Sequence, residues 1–200
     1  MIRFIVATFA EAKPIIDLFD LKKNHKYKEF SVYDSNEITL TVSKIGRINS
    51  ALAVAYNFFG MCNQESDIWI NFGLCGHKTQ KIGKIFLVKK LYDNSSNKVF
   101  FPFVHDFKVN SLDCITADKK NFNYQRELFD MEASGFFESV TKFVSKEFVF
   151  ILKLVSDNEK ESIDFSSKEE VYNLIIKQRT FLKAFCKNLK NLAKKSSYKY

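Results

Sequence analysis

Buried strands separated by amphipathic helices constrain this chain more than any other feature. Ile2 to Thr8, Asp67 to Phe72 and Phe148 to Val155 are nearly continuous apolar runs, as strands covered on both faces require. Between the first two, Glu11 to Phe19 and Ile48 to Met61 place small and apolar residues at helical spacing, the second through Ala51, Leu52, Ala55, Phe58 and Phe59. Pro14 suits the first helix because it falls in the opening turn. Phe30 to Tyr33 and Glu37 to Val42 alternate apolar and polar residues around Asp34-Ser35-Asn36, the pattern of a hairpin. Further strands are expected at Lys84 to Leu91, around Val99 to Val104 and at Leu112 to Thr116, with a helix after Met131. Gly73-Leu74-Cys75-Gly76 should break the strand before it, and one long helix from Val171 to Leu192 should end the fold. This order predicts one three-layer α/β/α domain over residues 1–200, with a mixed, largely parallel central sheet.

Composition excludes several function classes. No apolar run approaches the ~20 residues that span a bilayer, and Met1 to Ala7 is too short for a signal peptide, so a cytoplasmic protein is expected. Cys62, Cys75, Cys114 and Cys186 are widely spaced and form no C-x-x-C pair, which reads as buried reduced thiols rather than a zinc site or disulfide framework. The net charge of +8 comes from the C-terminal segment. Past Glu170 there are no acids, and without the eight Lys and Arg of that segment 23 basic groups face 23 acidic ones. Its lysines fall largely opposite Leu174, Phe181, Phe185 and Leu189, so a docked helix with a solvated basic face is favoured over a nucleic-acid surface.

Open α/β sheets bind ligands beyond the carboxyl ends of their strands. In this chain those ends carry Glu11, Ser43 to Arg47, Gly73 to His77, Thr116 to Asp118, Met131-Glu132 and Ser156-Asp157. Taken singly, each has an ordinary reading. Glu11 complements a helix dipole, Ser43 to Arg47 is a strand-to-helix turn, and Asp157-Asn158 caps a turn. His77 reads as a partly exposed loop histidine.

In this order the segments resemble the nucleoside phosphorylase/nucleosidase family, whose members cleave the bond between ribose and a base. Ala7 to Ala12, Val42 to Arg47, Ile70 to His77, Asp130-Met131-Glu132-Ala133 and Val149 to Asp157 carry the resemblance, which favours the branch acting on 5′-methylthioadenosine and S-adenosylhomocysteine. The resemblance implies hydrolysis of a purine nucleoside without a metal or other cofactor. It assigns Glu11 to activating the attacking water, with Ser43 and Lys153 contacting water or an anion. Met131 and Glu132 would hold the ribose. Asp157 would protonate the departing base, oriented by Ser156, with Gly76 and Phe122 against the base. Leaving-group protonation and a held ribose are what an oxocarbenium-like transition state needs, and the apolar run before Asp157 could raise its pKa by desolvation.

The chain departs from the family at Lys44, where a glycine is usual, at Cys75 and His77, and at Lys153, where an arginine is usual. The segment from Lys84 to Asp130 is short, and it normally supplies the aromatic that stacks on the base; Phe122 or Tyr124 would take that place. A phosphate-dependent reaction, for which Lys44 and Arg47 offer charge, and a catalytically impaired nucleoside-binding protein remain the alternatives. By analogy with the family, a homodimer or higher homo-oligomer is expected, acting on a small nucleoside and engaging neither nucleic acid nor membrane.

Overall fold

The computed structural model describes residues 1–61, 66–119 and 126–196. Strand β1 (Ile2–Val6) is buried at every position and leads into α1 (Phe9–Phe19). Thr8 caps this helix, its hydroxyl accepting the Glu11 N–H at 3.2 Å while the Glu11 carboxylate accepts the Thr8 N–H at 2.8 Å. The capping box starts the helix at Phe9 rather than at Glu11. Pro14 therefore lies in the second turn and forfeits one i→i−4 bond. After the short strand β2 (Lys22–Lys23), β3 (Ser31–Asp34) and β4 (Ile38–Val42) pair as the expected hairpin. Helix α2 (Arg47–Gly60) follows.

Strand β5 (Ile68–Gly76) does not end at its first glycine. It runs on through Gly73 to Gly76 because β10 (Val149–Asp157) supplies parallel partners along that whole edge, up to Asp157 opposite Gly76. Strands β6 (Ile85–Asp93), β7 (Lys98–Phe100) and β8 (Ser111–Thr116) lie between them in sequence. β7 stops two residues before Pro102, which has no N–H to give a ladder. A strand that periodicity misses, β9 (Leu128–Asp130), precedes α3 (Ala133–Val140). The expected single terminal helix is two, α4 (Lys168–Ile176) and α5 (Arg179–Ser196). The break at Gln178 is anchored by its side-chain amide, which donates to the Gly83 carbonyl at 2.9 Å. It lets α4 pack on α1 while Phe185 of α5 packs edge-on against Phe150 of β10.

The sheet is mixed, with helices on both faces, and its strands run β10-β6-β8-β9-β5-β1-β4-β3-β2. β10 also pairs β5, so β5, β10, β6, β8 and β9 close into a ring from which β1, β4, β3 and β2 extend. The branch point is β5. One edge pairs β10 throughout; the other pairs β1 from Ile68 to Asn71 and then β9 at Gly76. Between Asn71 and Gly76 that second edge meets no strand among the described residues. A split in a sheet leaves backbone groups to be satisfied by something else. Here it opens the cleft.

Candidate active site

Glu11 reaches into the split. Its Oε1 accepts the Leu74 N–H at 3.0 Å, while Oε2 accepts the Thr8 N–H and hydroxyl, each at 2.8 Å. Three donors from two elements hold this buried carboxylate in one orientation. The close approach depends on Gly73, where a Cβ would come within 3.3 Å of Glu11 Oε1 and 3.4 Å of Lys153 Nζ.

A cleft of about 300 Å³ opens over this edge. Glu11, Gly76, Met131, Glu132, Ser156 and Asp157, from three elements and one turn, share its wall with Leu74, Cys75, Phe129 and Asp130. Much of the remaining surface is apolar, including Ile45, Phe165 and Val171. Ser43 and Lys153 lie behind the wall. The Ser43 hydroxyl is turned toward the Val6 and Lys44 carbonyls, 3.1 and 2.8 Å away. Lys153 is fully buried, its ammonium 2.6 Å from Asp130 Oδ2 and donating to Asn71 Oδ1 at 2.7 Å. Phe122 and Tyr124 lie outside the described residues.

Asp157 ends β10, with its Oδ1 2.7 Å from the Ser156 hydroxyl oxygen; the same hydroxyl lies 3.1 Å from the Cys75 carbonyl. The Ser156 hydroxyl, which can donate to either oxygen, thus ties the Asp157 carboxyl to the end of β5. Glu132 opens α3, and its Oε1 accepts the Gly46 N–H at 2.9 Å. Burial, then the neighbouring Asp130 charge, push the Glu132 carboxyl up to about 7, against the opposing pull of Lys153 and the Gly46 N–H. Burial works to lower the Lys153 pKa, but the charges of Asp130 and Glu132 outweigh it and keep the ammonium above its ordinary range.

Two departures from the family pattern acquire a physical account. Lys44 sits at φ 72°, the left-handed conformation that glycine adopts most easily, so the turn keeps a glycine-like path with the lysine exposed. His77 is not partly exposed as its loop position implied. It is 4% exposed, Nδ1 accepts the Thr79 and Gln80 N–H groups at 3.0 Å, and Nε2 faces the Arg126 carbonyl at 3.0 Å. Burial lowers its pKa, and these bonds fix a neutral tautomer that organises the turn after β5.

Sequence patterns do not single out Asp130, Asn71 or Phe165 as site components. Asp130 and Asn71 fall inside segments that carry the resemblance, but neither is given a role by it. Phe165 offers one cue, a large aromatic in the polar stretch between β10 and α4.

This fold, with its split mixed sheet, has counterparts among solved structures. The apo 5′-methylthioadenosine nucleosidase of Arabidopsis thaliana matches with a TM-score of 0.73 at 18% identity, covering 96% of this chain and 95% of that one. The fold is that of the methylthioadenosine nucleosidases. The 5′-methylthioadenosine/S-adenosylhomocysteine nucleosidase of Campylobacter jejuni matches with a TM-score of 0.71 at 19% identity, covering 94% of this chain and 98% of that one. A Helicobacter pylori nucleosidase, an aspartate-to-asparagine mutant with 5′-methylthioadenosine in its active site, matches with a TM-score of 0.69 at 18% identity over 94% and 98% of the two chains. No protein-family model matches this chain, and no curated protein matches it in sequence. The nucleosidase fold is thus shared at an identity too low for sequence comparison to find.

Proposed function

We propose that this chain hydrolyses the N-glycosidic bond of a purine nucleoside. The observation that carries the reading is the convergence of Glu11, Glu132 and Asp157 on one cleft of the nucleosidase fold. Asp157, paired with Ser156, protonates the base as it leaves. Glu132 accepts the ribose hydroxyls while Met131 packs on the sugar, and Gly76 lets the base approach the end of β5. Glu11 binds and polarises the water. Lys153 and Ser43, behind the wall, hold the surrounding charge and backbone rather than the substrate. Water is favoured over phosphate as nucleophile because Glu11, Glu132 and Asp157 outnumber Lys119 among the described charged side chains lining the cleft, while the Lys153 ammonium is committed to the buried Asp130 carboxylate. Phe165 offers the cleft an aromatic surface from the loop before α4.

Purified protein incubated with 5′-methylthioadenosine should release adenine, unaffected by inorganic phosphate. Release only with phosphate would mark a phosphorylase. Calorimetric binding without release would mark a non-catalytic nucleoside-binding protein. No release from any of a panel of nucleosides, with or without phosphate, would reject enzymatic cleavage.

The same reading includes a homo-oligomer working in the cytoplasm, in keeping with the free, buried Cys75, Cys114 and Cys186. Ile48, Leu52 and Phe59 stand 67%, 55% and 75% exposed along one face of α2, continuous with Phe143 through the Phe59–Phe143 ring contact. Ile45, just before the start of α2 and so near Ile48, lines the cleft. Apolar faces of this kind mark protein interfaces. The protein should sediment as a dimer at micromolar concentration, and Leu52→Glu should sediment as a folded monomer. A wild type that stays monomeric across the concentration range would overturn the assignment.

A further inference from the structure

One buried carboxylate at the wall of the cleft has no task in the hydrolysis itself. Asp130 ends β9 and lines the wall beside Met131 and Glu132. Its Oδ1 accepts the Thr116 hydroxyl at 2.6 Å, and its Oδ2 accepts the Ala133 N–H at 2.8 Å and the Glu132 N–H at 3.3 Å. The same Oδ2 lies 2.6 Å from the Lys153 ammonium, which also donates to Asn71. A buried ion pair is tolerated when its remaining hydrogen bonds are met, and Asp130 meets them from β8, α3 and β10 together. An ammonium tied to two acceptors and fully buried cannot swing into the cleft. A carboxylate that also binds the backbone of Glu132 cannot move without moving the ribose acceptor.

We propose that Asp130 is a positioning residue: its Oδ2 joins the Lys153 ammonium to the start of α3, holding the cation behind the wall and the Glu132 carboxylate in front of it. The catalytic consequence rests on the nucleosidase reading; the positioning itself does not. The groups facing Glu132 are Asp130 from β9, Lys153 from β10, Glu11 from α1 and the Gly46 N–H before α2. Asp130 is the like charge that disfavours Glu132 ionisation, and Lys153 is the opposite charge that favours it. Neutralising Asp130 removes the first effect and leaves the second uncompensated, so both changes let Glu132 ionise at lower pH. A ribose acceptor works ionised. The acid limb of kcat/KM should therefore move to lower pH with it.

The test follows the Glu132 carboxyl by ¹³C NMR of glutamate-labelled protein, the resonance assigned by its loss in Glu132→Gln. Asp130→Asn should lower the titration midpoint by about one unit or more, and Lys153→Met should raise it. The double variant removes both buried charges, leaves neither unpaired, and should titrate below Lys153→Met alone. That comparison isolates the Asp130 charge even where Asp130→Asn does not fold. In turnover of a nucleoside, the single losses in kcat/KM should be strongly non-additive in the double variant. An unmoved Glu132 midpoint in both comparisons, or additive kinetic losses, would overturn the proposal. A wild type without turnover would instead reject the nucleosidase reading, leaving the NMR comparison to decide the role of Asp130.

Discussion

Asp157→Asn is expected to slow purine release by about 10²- to 10⁴-fold, the range that a general acid contributes. The substitution is nearly isosteric, and its side-chain oxygen still accepts from the Ser156 hydroxyl 2.7 Å away. What it loses is a transferable proton at the base. The Asp157 carbonyl, which accepts the His77 N–H at 3.1 Å, is untouched, so the turn after β5 should hold. On the proposed reading Glu132 and Met131 hold the sugar from the turn before α3, so KM should change far less than kcat. Adenine release followed at pH 7 measures both. A variant that keeps the wild-type kcat would remove Asp157 from the chemistry and leave leaving-group protonation without a residue.

Gly135→Ala should be the most damaging single methyl in the protein. A Cβ there would lie 1.9 Å from the Arg47 carbonyl oxygen and 2.5 Å from its carbon, both rigid backbone atoms. α2 and α3 meet at this point almost backbone to backbone. Relief requires the helices to part, at a cost near the upper end of overpacking, about 3 kcal/mol. For a chain of this length that lowers Tm by roughly 10 °C. The displacement has a functional direction as well. It moves the start of α2 away from α3, and with it the Gly46 N–H that binds Glu132 Oε1. Thermal melts should show the loss of stability, and on the proposed reading whatever folded protein remains should show a raised KM. A Tm within 2 °C of wild type, on the order of a 1 kcal/mol change or less, would mean that the helices are not locked together there.

Much of this architecture is legible in the amino-acid sequence, for particular reasons. β1, β5 and β10 are buried on both faces, so their residues must be apolar almost without interruption, and such runs are visible in one dimension. The acids beyond them are equally visible, since Glu11 and Asp157 stand at the ends of those runs. Local patterning misleads where distant neighbours override local preference. Gly73 to Gly76 remain strand because β10 supplies the ladder, and His77 is buried because Arg126 and the Thr79 turn satisfy its ring. β9, at three residues, is too short to have a period at all.

The order of elements, the mixed α/β class and the identity of the acids at the strand ends are therefore properties of the sequence, because each depends on residues close along the chain. The closing of β5, β10, β6, β8 and β9 into a ring is not, nor is the pairing of Lys153 with Asp130. Glu132 receives its hydrogen bond from Gly46, 86 residues away, and its raised pKa from the burial that this approach completes. Local patterning places the carboxylates at one end of the sheet. Long-range packing raises the pKa of Glu132 and decides which carboxylates meet the cleft, since both depend on neighbours that no local window contains.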